Sequence, residues 1–482
     1  MDKILKLREK ILGKTVLISQ SVSVDDPLSF LGNTSENKAE TLINRIIAGN
    51  NWKASLLRSQ RKDIFKYIVS FWEKSIFSIP YKSSTFKGVN LAKRPFLSPT
   101  GLVENNGFAF AEQYRWDTFF QNRGLILIGG LNFGLDQVLN LVDVFEEFQR
   151  IPNALVTPFL SRPQPPLEIF SLIDLLEAGC NSFKEIAYAV SVVEKELVTE
   201  WLDMGTGKQN QRQTNEMVEK FGLLTRYEPH DFPLLVGCED GKDHNWITVN
   251  YGSDYLPVQL NSIIYGILDR LEQFYGSEKW GNNNEKKVFY VNLKEQLKND
   301  FQKTFWCDKG KWAGFRNYSM KDQNHILYGD LAGEIWPLFT KIASPEQASI
   351  TLENLRQYYT GDYGLSATSL DLRKGGSIEN EPLGQWQFQW EYPNCWPPLM
   401  MVAAEGLKNY GFQKEALEYE KKWVDYIEKE FDRSRAIYEK GPFDSRLSVA
   451  PGLYGTMKGF GWTIAVYLWF LKDLAERNLL NA

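Results

Sequence analysis

The segment that decides the fold of this chain is Gln389-Trp390-Glu391-Tyr392-Pro393-Asn394-Cys395-Trp396-Pro397-Pro398. Its prolines lack a backbone donor and disfavour both a regular helix and a central strand, so we predict a rigid, irregular loop. The apolar run from Leu399 to Ala404 follows directly and indicates the start of a buried helix. The loop is therefore predicted to lie at the mouth of a buried helix.

The same segment combines flat aromatic faces with polar side chains, a composition that suits a sugar-binding site. Tryptophan rings cover the C–H faces of a sugar, while glutamine and glutamate side chains bind its hydroxyl groups. The alternative is a structural loop in which Trp390 and Trp396 only seal a core. From this segment alone, both interpretations stay open.

The composition is that of an ordinary globular protein, with 482 residues, 43% apolar and 24% charged. A net charge of −5 argues against a nucleic-acid surface. The aromatic share of 14% fits a large core, a carbohydrate cleft or both. The four cysteines form no C-x-x-C pair and there are three histidines, so we predict no metal site and no cofactor.

The N-terminal segment bears on the compartment. Met1 to Thr15 is charged throughout and lacks an apolar stretch typical of a secretory signal. The chain has no run of eighteen or more apolar residues, so no membrane span is predicted. We therefore predict a cytoplasmic protein without a membrane partner.

Helical periodicity dominates the chain after residue 50, and long loops rich in glycine, proline and aromatic residues separate the helices. The predicted helices are Arg61 to Lys74, Gly134 to Phe148, Leu167 to Ala178, Phe183 to Leu202, Leu256 to Tyr275, Glu285 to Phe305, Pro345 to Tyr359, Gly406 to Phe431 and Trp462 to Leu474. The predicted loops are 77–117, 151–166, 203–255, 307–330, 360–398 and 432–461. Loops this long are usually functional.

This alternation has no βαβ rhythm and indicates an all-α toroid in one domain, spanning residues 51–482. Residues 1–50 are predicted to be an N-terminal extension. Within it, Ile11 to Val24 alternates weakly, which is compatible with short strands, and Asp25 to Asn37 has the composition of a loop.

Two of the long loops carry charged residues whose environment bears on ligand binding. Phe110 to Phe120 alternates the two kinds, which is costly to bury unless something polar occupies the site. The alternative there is a surface helix start with Asp117 as its cap. In Ser161 to Pro166, Arg162 and Gln164 either hold a ligand or close the loop.

Two further loops supply candidate catalytic carboxylates. Cys238 to Trp246 holds several acids but lacks the spacing and terminal glutamate of an EF-hand. It is either a solvated acidic turn or the site of a carboxylic acid with a raised pKa. Glu439 precedes a turn containing Gly441 and Pro442. Glycoside hydrolysis needs two such carboxyl groups, one to protonate the leaving oxygen and one on the opposite face of the ring.

These motifs resemble those of the trehalases, glycoside hydrolase family 37, and of their relatives in family 63. The Gln389 loop resembles Q-W-D-x-P-x-G-W-x-P, and the Phe110 segment resembles R-F-x-E-x-Y-x-W-D. Further similarities follow in the family's order. Residues 161–166 resemble R-S-Q-P-P, residues 256–262 resemble V-P-V-D-L-N-S, and residues 459–463 match G-F-G-W-T.

The resemblance implies an (α/α)6 toroid and an inverting mechanism without a cofactor. It places Asp243 as the general acid and Glu439 as the general base. Trp116, Asp117, Gln389, Trp390 and Asn394 are implied around the glucose, with Arg162 near the leaving group. The full set of predicted substrate-binding residues is Tyr114, Trp116, Asp117, Arg162, Gln164, Asn261, Gln389, Trp390, Glu391, Asn394, Trp396 and Trp462.

The chain departs from the family pattern mainly on the leaving-group side. Ala109 replaces the arginine of one motif, and His244 to Trp246 lacks another arginine. Leu453 stands where trehalases have a glutamate. We therefore predict a hydrolase of a small α-glucoside, with trehalose as the leading substrate. The alternatives are a family-63-like glucosylglycerate or mannosylglycerate hydrolase, and a non-catalytic sugar-binding descendant. The predicted partner is a small carbohydrate, with no nucleic acid, and the predicted assembly is a monomer or a small homo-oligomer.

Overall fold

The computed structural model describes residues 28–47, 59–77, 88–101, 110–202, 212–231, 233–373, 388–450, 452, 455–477 and 479–480. Its α-helices are, in chain order, α1 Ser35–Ile47, α2 Ser59–Ser75, α3 Arg115–Leu127, α4 Leu131–Phe148, α5 Glu168–Glu177, α6 Phe183–Glu196, α7 Asn215–Phe221, α8 Pro233–Asp240, α9 Trp246–Tyr251, α10 Val258–Gly276, α11 Asn284–Phe305, α12 Leu331–Phe339, α13 Pro345–Asn354, α14 Pro397–Asn409, α15 Gln413–Ser434 and α16 Gly461–Glu476.

Six of these helices form a closed inner ring. Helix α3 packs against α5, α5 against α10, α10 against α12, α12 against α14, α14 against α16, and α16 returns to α3. Where α3 meets α16, a Cβ on Gly124 would lie 2.8 Å from the Cβ of Ala465, so the close approach of these two helices requires a glycine there. The predicted all-α (α/α)6 toroid is confirmed.

The burial pattern of each helix explains its place in this architecture. Inner helices such as α12 are buried on all sides, and Ile335, Trp336 and Leu338 are completely buried. Outer helices such as α15 bury one stripe, with Tyr419 and Trp423 on the same side of a charged surface helix. The outer layer comprises α2, α4, α6, α11, α13 and α15, and α1 packs across α2 and α16.

Short strands tie the connecting loops together. They are β1 Ile76–Phe77, β2 Phe96–Leu97, β3 Tyr255–Leu256, β4 Trp306–Cys307, β5 Gly314–Phe315, β6 Tyr318–Ser319, β7 Asn324–His325, β8 Tyr328–Asp330, β9 Thr368–Arg373, β10 Asn394–Cys395 and β11 Gly441–Pro442. The described pairings are antiparallel: β1 with β2, β3 with β6, β6 with β7, β4 with β5, β8 with β9, and β10 with β11.

Several predicted boundaries were wrong. The helix predicted for Gly406 to Phe431 is two helices, α14 and α15, because the chain turns at Gly411, whose φ is 81°. The loop predicted for 203–255 contains α7, α8 and α9, and the loop predicted for Asp25 to Asn37 ends inside α1. Helix α14 begins at Pro397, since a proline fits the first helical turn.

Some predictions were not tested. The strands suggested for Ile11 to Val24 lie outside the described residues, and the division at residue 50 stays a prediction. None of the described helices is long and apolar enough to span a membrane.

Candidate active site

The loops singled out in the sequence meet at one end of the toroid, because they belong to the connections that precede the N-termini of inner helices. Residues at the start of α3 and α16 and in the loops before α5, α10 and α14 surround a single cavity. Its volume is about 380 Å³, including its open mouth. Its lining residues are Pro99, Phe110, Tyr114, Trp116, Asp117, Asn153, Gln164, Gly241, Asp243, Trp390, Phe460 and Trp462.

The loop between α8 and α9 brings Asp243 into this cavity. Helix α8 is followed by Gly241, whose φ of 79° strongly favours glycine. A Cβ there would lie 3.2 Å from the Trp116 ring. Asn245 caps α9 by accepting a hydrogen bond from the backbone N–H of Thr248 at 3.0 Å. The carboxyl group of Asp243 is therefore held between a helix end and a helix start.

Buried polar contacts fix the rest of this loop. Asp240 accepts hydrogen bonds from the hydroxyl of Tyr227 at 2.7 Å and from Nδ2 of Asn245 at 3.1 Å. Nζ of Lys242 donates to Oδ2 of Asp330 at 3.0 Å, and Asp330 is the N-cap of α12. The neighbours of Asp243 thus anchor the loop, while Asp243 itself faces the cavity.

The surroundings of Asp243 favour its protonated form. Burial raises the pKa of its carboxyl group from 3.8 to about 7, and the negative charge of Glu439 adds to this effect. A hydrogen bond with the Cys238 thiol acts in the opposite direction and lowers the pKa. A substantial fraction of Asp243 therefore carries a proton at neutral pH, as a general acid requires.

Backbone contacts hold Glu439, which is completely buried. Its N–H donates to the carbonyl oxygen of Met457 at 3.0 Å. Its carbonyl oxygen accepts hydrogen bonds from Nε1 of Trp462 and Oγ1 of Thr463, both at 3.0 Å. Nζ of Lys440 lies 4.0 Å from its Oε2. The start of α16 therefore positions Glu439 directly.

A third carboxyl group, that of Asp117, belongs to the same electrostatic cluster. Burial raises the pKa of Asp117 well above 3.8, and the charges of Glu439 and Asp243 raise it further. Asp117 lies in the first turn of α3 and lines the cavity beside Trp116. The structure thus brings together an acid candidate, a base candidate and a third carboxyl group. Glu439 does not itself line the cavity, but its charge raises the pKa of both aspartates.

Stacked tryptophans form an aromatic wall. The rings of Trp390 and Trp396 are parallel, with centroids 3.8 Å apart and an interplanar angle of 6°. Trp390 lines the cavity, and Trp462 meets its ring edge-on at 6.3 Å. Because Trp396 backs Trp390 on its other side, Trp390 presents a fixed flat face.

Other residues predicted from the Gln389 loop support the loop itself. Nδ2 of Asn394 donates to the carbonyl oxygens of Gln389 at 2.7 Å and Ala450 at 3.0 Å, and its Oδ1 accepts from the N–H of Ala450 at 2.7 Å. Glu391 accepts hydrogen bonds from the N–H of Trp246 at 3.0 Å and from the hydroxyl of Tyr328. Gln389, Glu391, Asn394 and Trp396 do not line the cavity, and their contacts with a substrate stay predictions.

Of the remaining predicted binding residues, some line the cavity and others do not. Gln164 lines the cavity, and its Oε1 accepts a hydrogen bond from the N–H of Trp116 at 2.8 Å. Arg162 instead donates to Oε2 of Glu239 at 3.3 Å, and Asn261 is bonded to both backbone groups of Thr225 at 2.9 Å. Neither Arg162 nor Asn261 lines the cavity, and their binding roles stay predictions.

Sequence reasoning missed several lining residues. Pro99, Phe110, Asn153, Gly241 and Phe460 contribute to the wall. Phe110, Gly241 and Phe460 lie inside segments singled out above, so the quoted motifs already contained that signal. Asn153 lies in no motif; its Nδ2 donates to the carbonyl oxygen of Cys238 at 2.6 Å and thus supports the acid loop.

No metal ligand set is evident in the described part of the chain, since its histidine, cysteine and acidic side chains form no group of three or more suited to an ion. The four cysteines are free. The site thus consists of carboxyl groups, amides and aromatic rings.

The fold and the site define a glycoside hydrolase of the (α/α)6 class. Comparison with known families gives the more specific assignment: residues 92–231 and 235–475 match the trehalase family, and the chain belongs to it. The predicted resemblance and the predicted enzyme class are therefore confirmed.

Curated relatives agree with this assignment. A periplasmic trehalase of Xanthomonas campestris pv. campestris (strain 8004) is 26% identical over 458 residues, which covers 86% of this chain and 74% of the relative. The periplasmic trehalase of Salmonella typhimurium is 26% identical over 414 residues, covering 77% of this chain and 68% of that one.

Among solved structures, neutral trehalase Nth1 from Saccharomyces cerevisiae aligns with a TM-score of 0.63 at 20% identity, covering 80% of this chain and 75% of that one. A GH63 mannosylglycerate hydrolase from Thermus thermophilus aligns with a TM-score of 0.57 at 14% identity, covering 78% of this chain and 95% of that one. At these identities the structures show a shared fold.

The predicted cytoplasmic location is wrong. It rested on the charged segment Met1 to Thr15, whereas the curated relatives above are periplasmic trehalases and point to the periplasm. The charge of a short segment describes that segment only, and it does not determine where the folded domain works.

Proposed function

We propose that this protein hydrolyses trehalose with inversion at the anomeric carbon, with Asp243 as general acid and Glu439 as general base. The observation that carries the proposal is the electrostatic coupling of two carboxyl groups: Asp243 lines the cavity, burial raises its pKa to about 7, and the charge of the nearby Glu439 contributes to that shift. Membership of the trehalase family and the periplasmic trehalases among the relatives support trehalose as the substrate.

In the proposed reaction, Asp243 donates its proton to the glycosidic oxygen as the bond to the anomeric carbon breaks. Glu439 accepts a proton from a water molecule, and the resulting hydroxyl forms the new bond on the opposite face of the ring. One glucose leaves with the oxygen that received the proton, and the other carries the oxygen of the water. Asp243 then regains a proton and Glu439 loses one, so the enzyme returns to its starting state.

The aromatic wall and the third carboxyl group would orient the sugar. Trp390 lines the cavity and is stacked on Trp396, and its indole ring is suited to the C–H face of a glucose ring. Asp117 and Gln164 line the same cavity and offer oxygen acceptors and donors for hydroxyl groups. A ring held in this way has its anomeric carbon fixed relative to Asp243.

The substrate is tested by measuring kcat/KM for trehalose, glucosylglycerate, mannosylglycerate and maltose with the purified full chain. We expect trehalose to be preferred by at least roughly tenfold, because an unmatched buried polar group at the leaving-group side is costly. A glycerate glycoside hydrolysed faster than trehalose would contradict the proposed substrate while leaving the hydrolase class intact. Binding of trehalose without hydrolysis would contradict the proposal altogether and favour the sugar-binding alternative.

The pH dependence of the reaction follows from Asp243. Since its pKa is raised to about 7 and the proton is needed for catalysis, kcat/KM should fall about tenfold per pH unit above that value. Well below that value the acid is fully protonated, and activity is limited by the ionisation of the base. The profile is measured from acidic to alkaline pH with trehalose. A constant kcat/KM up to pH values far above 7 would show that Asp243 is not the proton donor.

A further inference from the structure

A second cavity lies at the opposite end of the toroid. It is lined mainly by the C-terminal halves of five inner helices, α3, α5, α10, α12 and α14, together with Phe170 in the first turn of α5 and the residues that follow α12. Its volume is about 310 Å³, at the lower end of the usual range for small-molecule sites. Helix α3 contributes Asp117 to the first cavity and Arg123 to the second. These residues are six positions apart, about 9 Å along the helix, so the two cavities are distinct.

Two arginines lie side by side in this second cavity. The guanidinium of Arg123 lies over the ring of Phe339, 5.6 Å from its centroid, and that of Arg270 lies over Phe170 at 5.9 Å. The two rings are 5.8 Å apart. Both guanidinium groups flank the carboxylate of Asp174, at 3.1 Å for Arg123 and 3.9 Å for Arg270. The guanidinium of Arg123 also lies over the rings of Phe119 and Trp469, so aromatic rings contact the faces of these groups rather than their N–H edges.

These guanidinium groups have unused donors. Within the described part of the chain, the buried Nε of Arg123 has no hydrogen-bond partner, although Arg123 is only 5% exposed. The distances from Arg270 to Asp174 and to Glu177 are 3.9 Å and 3.6 Å, longer than a hydrogen bond.

By contrast, the acids of the same wall are well supplied with donors. Asp269 accepts from Nζ of Lys294 at 2.8 Å and from Nε2 of Gln273 at 2.7 Å. Glu405 accepts from Nζ of Lys408 at 2.9 Å and from Nε1 of Trp469 at 3.1 Å. The unused hydrogen-bonding groups of this cavity are therefore N–H donors of the arginines rather than carboxylate acceptors. The cavity thus requires a ligand rich in hydrogen-bond acceptors.

We propose that this second cavity binds the phosphate group of a small sugar-sized anion through Arg123 and Arg270. Guanidinium groups bind phosphate oxygens through paired N–H donors, and two adjacent arginines supply several of these. Lys341 also lines the cavity and adds a third cation.

The acids of the cavity define the rest of the ligand. Glu177, Asp269 and Glu405 line the wall with the three cations, so the lining carries no net charge and does not suit a large polyanion. Glu177, whose side chain is 53% exposed, offers oxygens for the hydroxyl groups of a sugar. Cations near helix C-termini also offset the macrodipole, but that role requires neither an open cavity nor unused donors.

The proposal is tested by isothermal titration of the full chain with glucose 6-phosphate, inorganic phosphate and glucose. Saturating glucose is present in the two phosphate titrations, so that the active site is occupied. Arg270→Gln removes one guanidinium, and Lys341→Gln removes the cation of an exposed side chain. Arg433→Gln is the matched control, because Arg433 is a strongly exposed arginine on α15, remote in the sequence from the cavity residues. Thermal unfolding of each variant shows whether it is folded.

We expect glucose 6-phosphate to bind the wild type. Its Kd should rise about 10- to 100-fold in Arg270→Gln, because the variant loses hydrogen bonds to a charged group. Lys341→Gln should weaken binding in the same direction, and Arg433→Gln should not change it. Tighter binding of glucose 6-phosphate than of phosphate would show that the sugar hydroxyls contribute, and equal binding would show that a free phosphate suffices. Absence of phosphate-dependent binding to the wild type, or unchanged binding in both Arg270→Gln and Lys341→Gln, would overturn the proposal. If Arg270→Gln fails to fold, Lys341→Gln decides.

Discussion

Replacing Asp243 by asparagine is expected to lower kcat for trehalose by about 10²- to 10⁴-fold, the usual contribution of a general acid. The amide keeps the size of the side chain but cannot donate a proton to the glycosidic oxygen. The leaving group of trehalose is a sugar alkoxide, a poor leaving group without that proton, so the loss should be near the upper end. Since the loop around Asp243 is held by contacts of Asp240, Lys242 and Asn245, the variant should keep its fold.

An activated substrate separates this role from a structural one. Fluoride leaves from α-glucosyl fluoride without a full proton transfer, so Asp243→Asn should lose far less activity on that substrate than on trehalose. The alkaline fall in kcat/KM above pH of about 7 should also disappear in this variant, because the titrating group is gone. Asp254→Asn, at a largely exposed aspartate, is the matched control. Equal losses on both substrates would show that Asp243 acts by supporting the site.

Replacing Glu439 by glutamine is expected to reduce kcat by a similar factor, about 10²- to 10⁴-fold, on trehalose and on α-glucosyl fluoride alike. The attacking water must lose a proton whichever group departs, so an activated leaving group cannot compensate for the missing base. This difference in substrate dependence distinguishes Glu439 from Asp243. The backbone contacts of Glu439 with Met457, Trp462 and Thr463 do not involve its carboxyl group, so the substitution leaves them intact.

Chemical rescue provides a further test of the base. In Glu439→Ala the side chain is truncated, and added azide, a nucleophile that needs no base, should restore turnover of α-glucosyl fluoride and yield the β-glucosyl azide. Glu353→Gln, at an exposed glutamate, is the matched control. Without rescue, or with an α-configured azide as the product, Glu439 could not be the base of an inverting reaction.

Much of the fold was predictable because its decisive signals are local. Apolar runs with helical spacing marked the inner helices α5, α10, α14 and α16, and the Gln389 loop was placed correctly before α14, since prolines disfavour regular structure. The inner helices α3 and α12 were not predicted. The turn at Gly411 was missed because the apolar pattern continues across it from α14 to α15. Helices α7 to α9 are short, and a short helix gives too few repeats for its period to be recognised.

The site was predictable at the level of loops, and less so at the level of individual side chains. Asp243, Trp116, Asp117 and Trp390 all line one cavity. Asn394 and Glu391 come from the same segment as Trp390, yet their hydrogen bonds go to the protein itself. An amide or carboxylate side chain forms hydrogen bonds with a loop backbone as readily as it does with a sugar. Residue type alone therefore does not separate a structural role from a binding role. The second cavity has no sequence motif, because five different helices contribute to it.

The most direct test of the central claim is the anomeric form of the glucose released from trehalose. Proton NMR spectra are recorded in the first minutes of hydrolysis by the wild type, with enough enzyme that release outpaces mutarotation. Inversion converts the attacked residue into β-glucose and releases the other as α-glucose, so equal amounts of the two anomers are expected. Initial release of α-glucose alone would show retention of configuration and would contradict the roles proposed for Asp243 and Glu439.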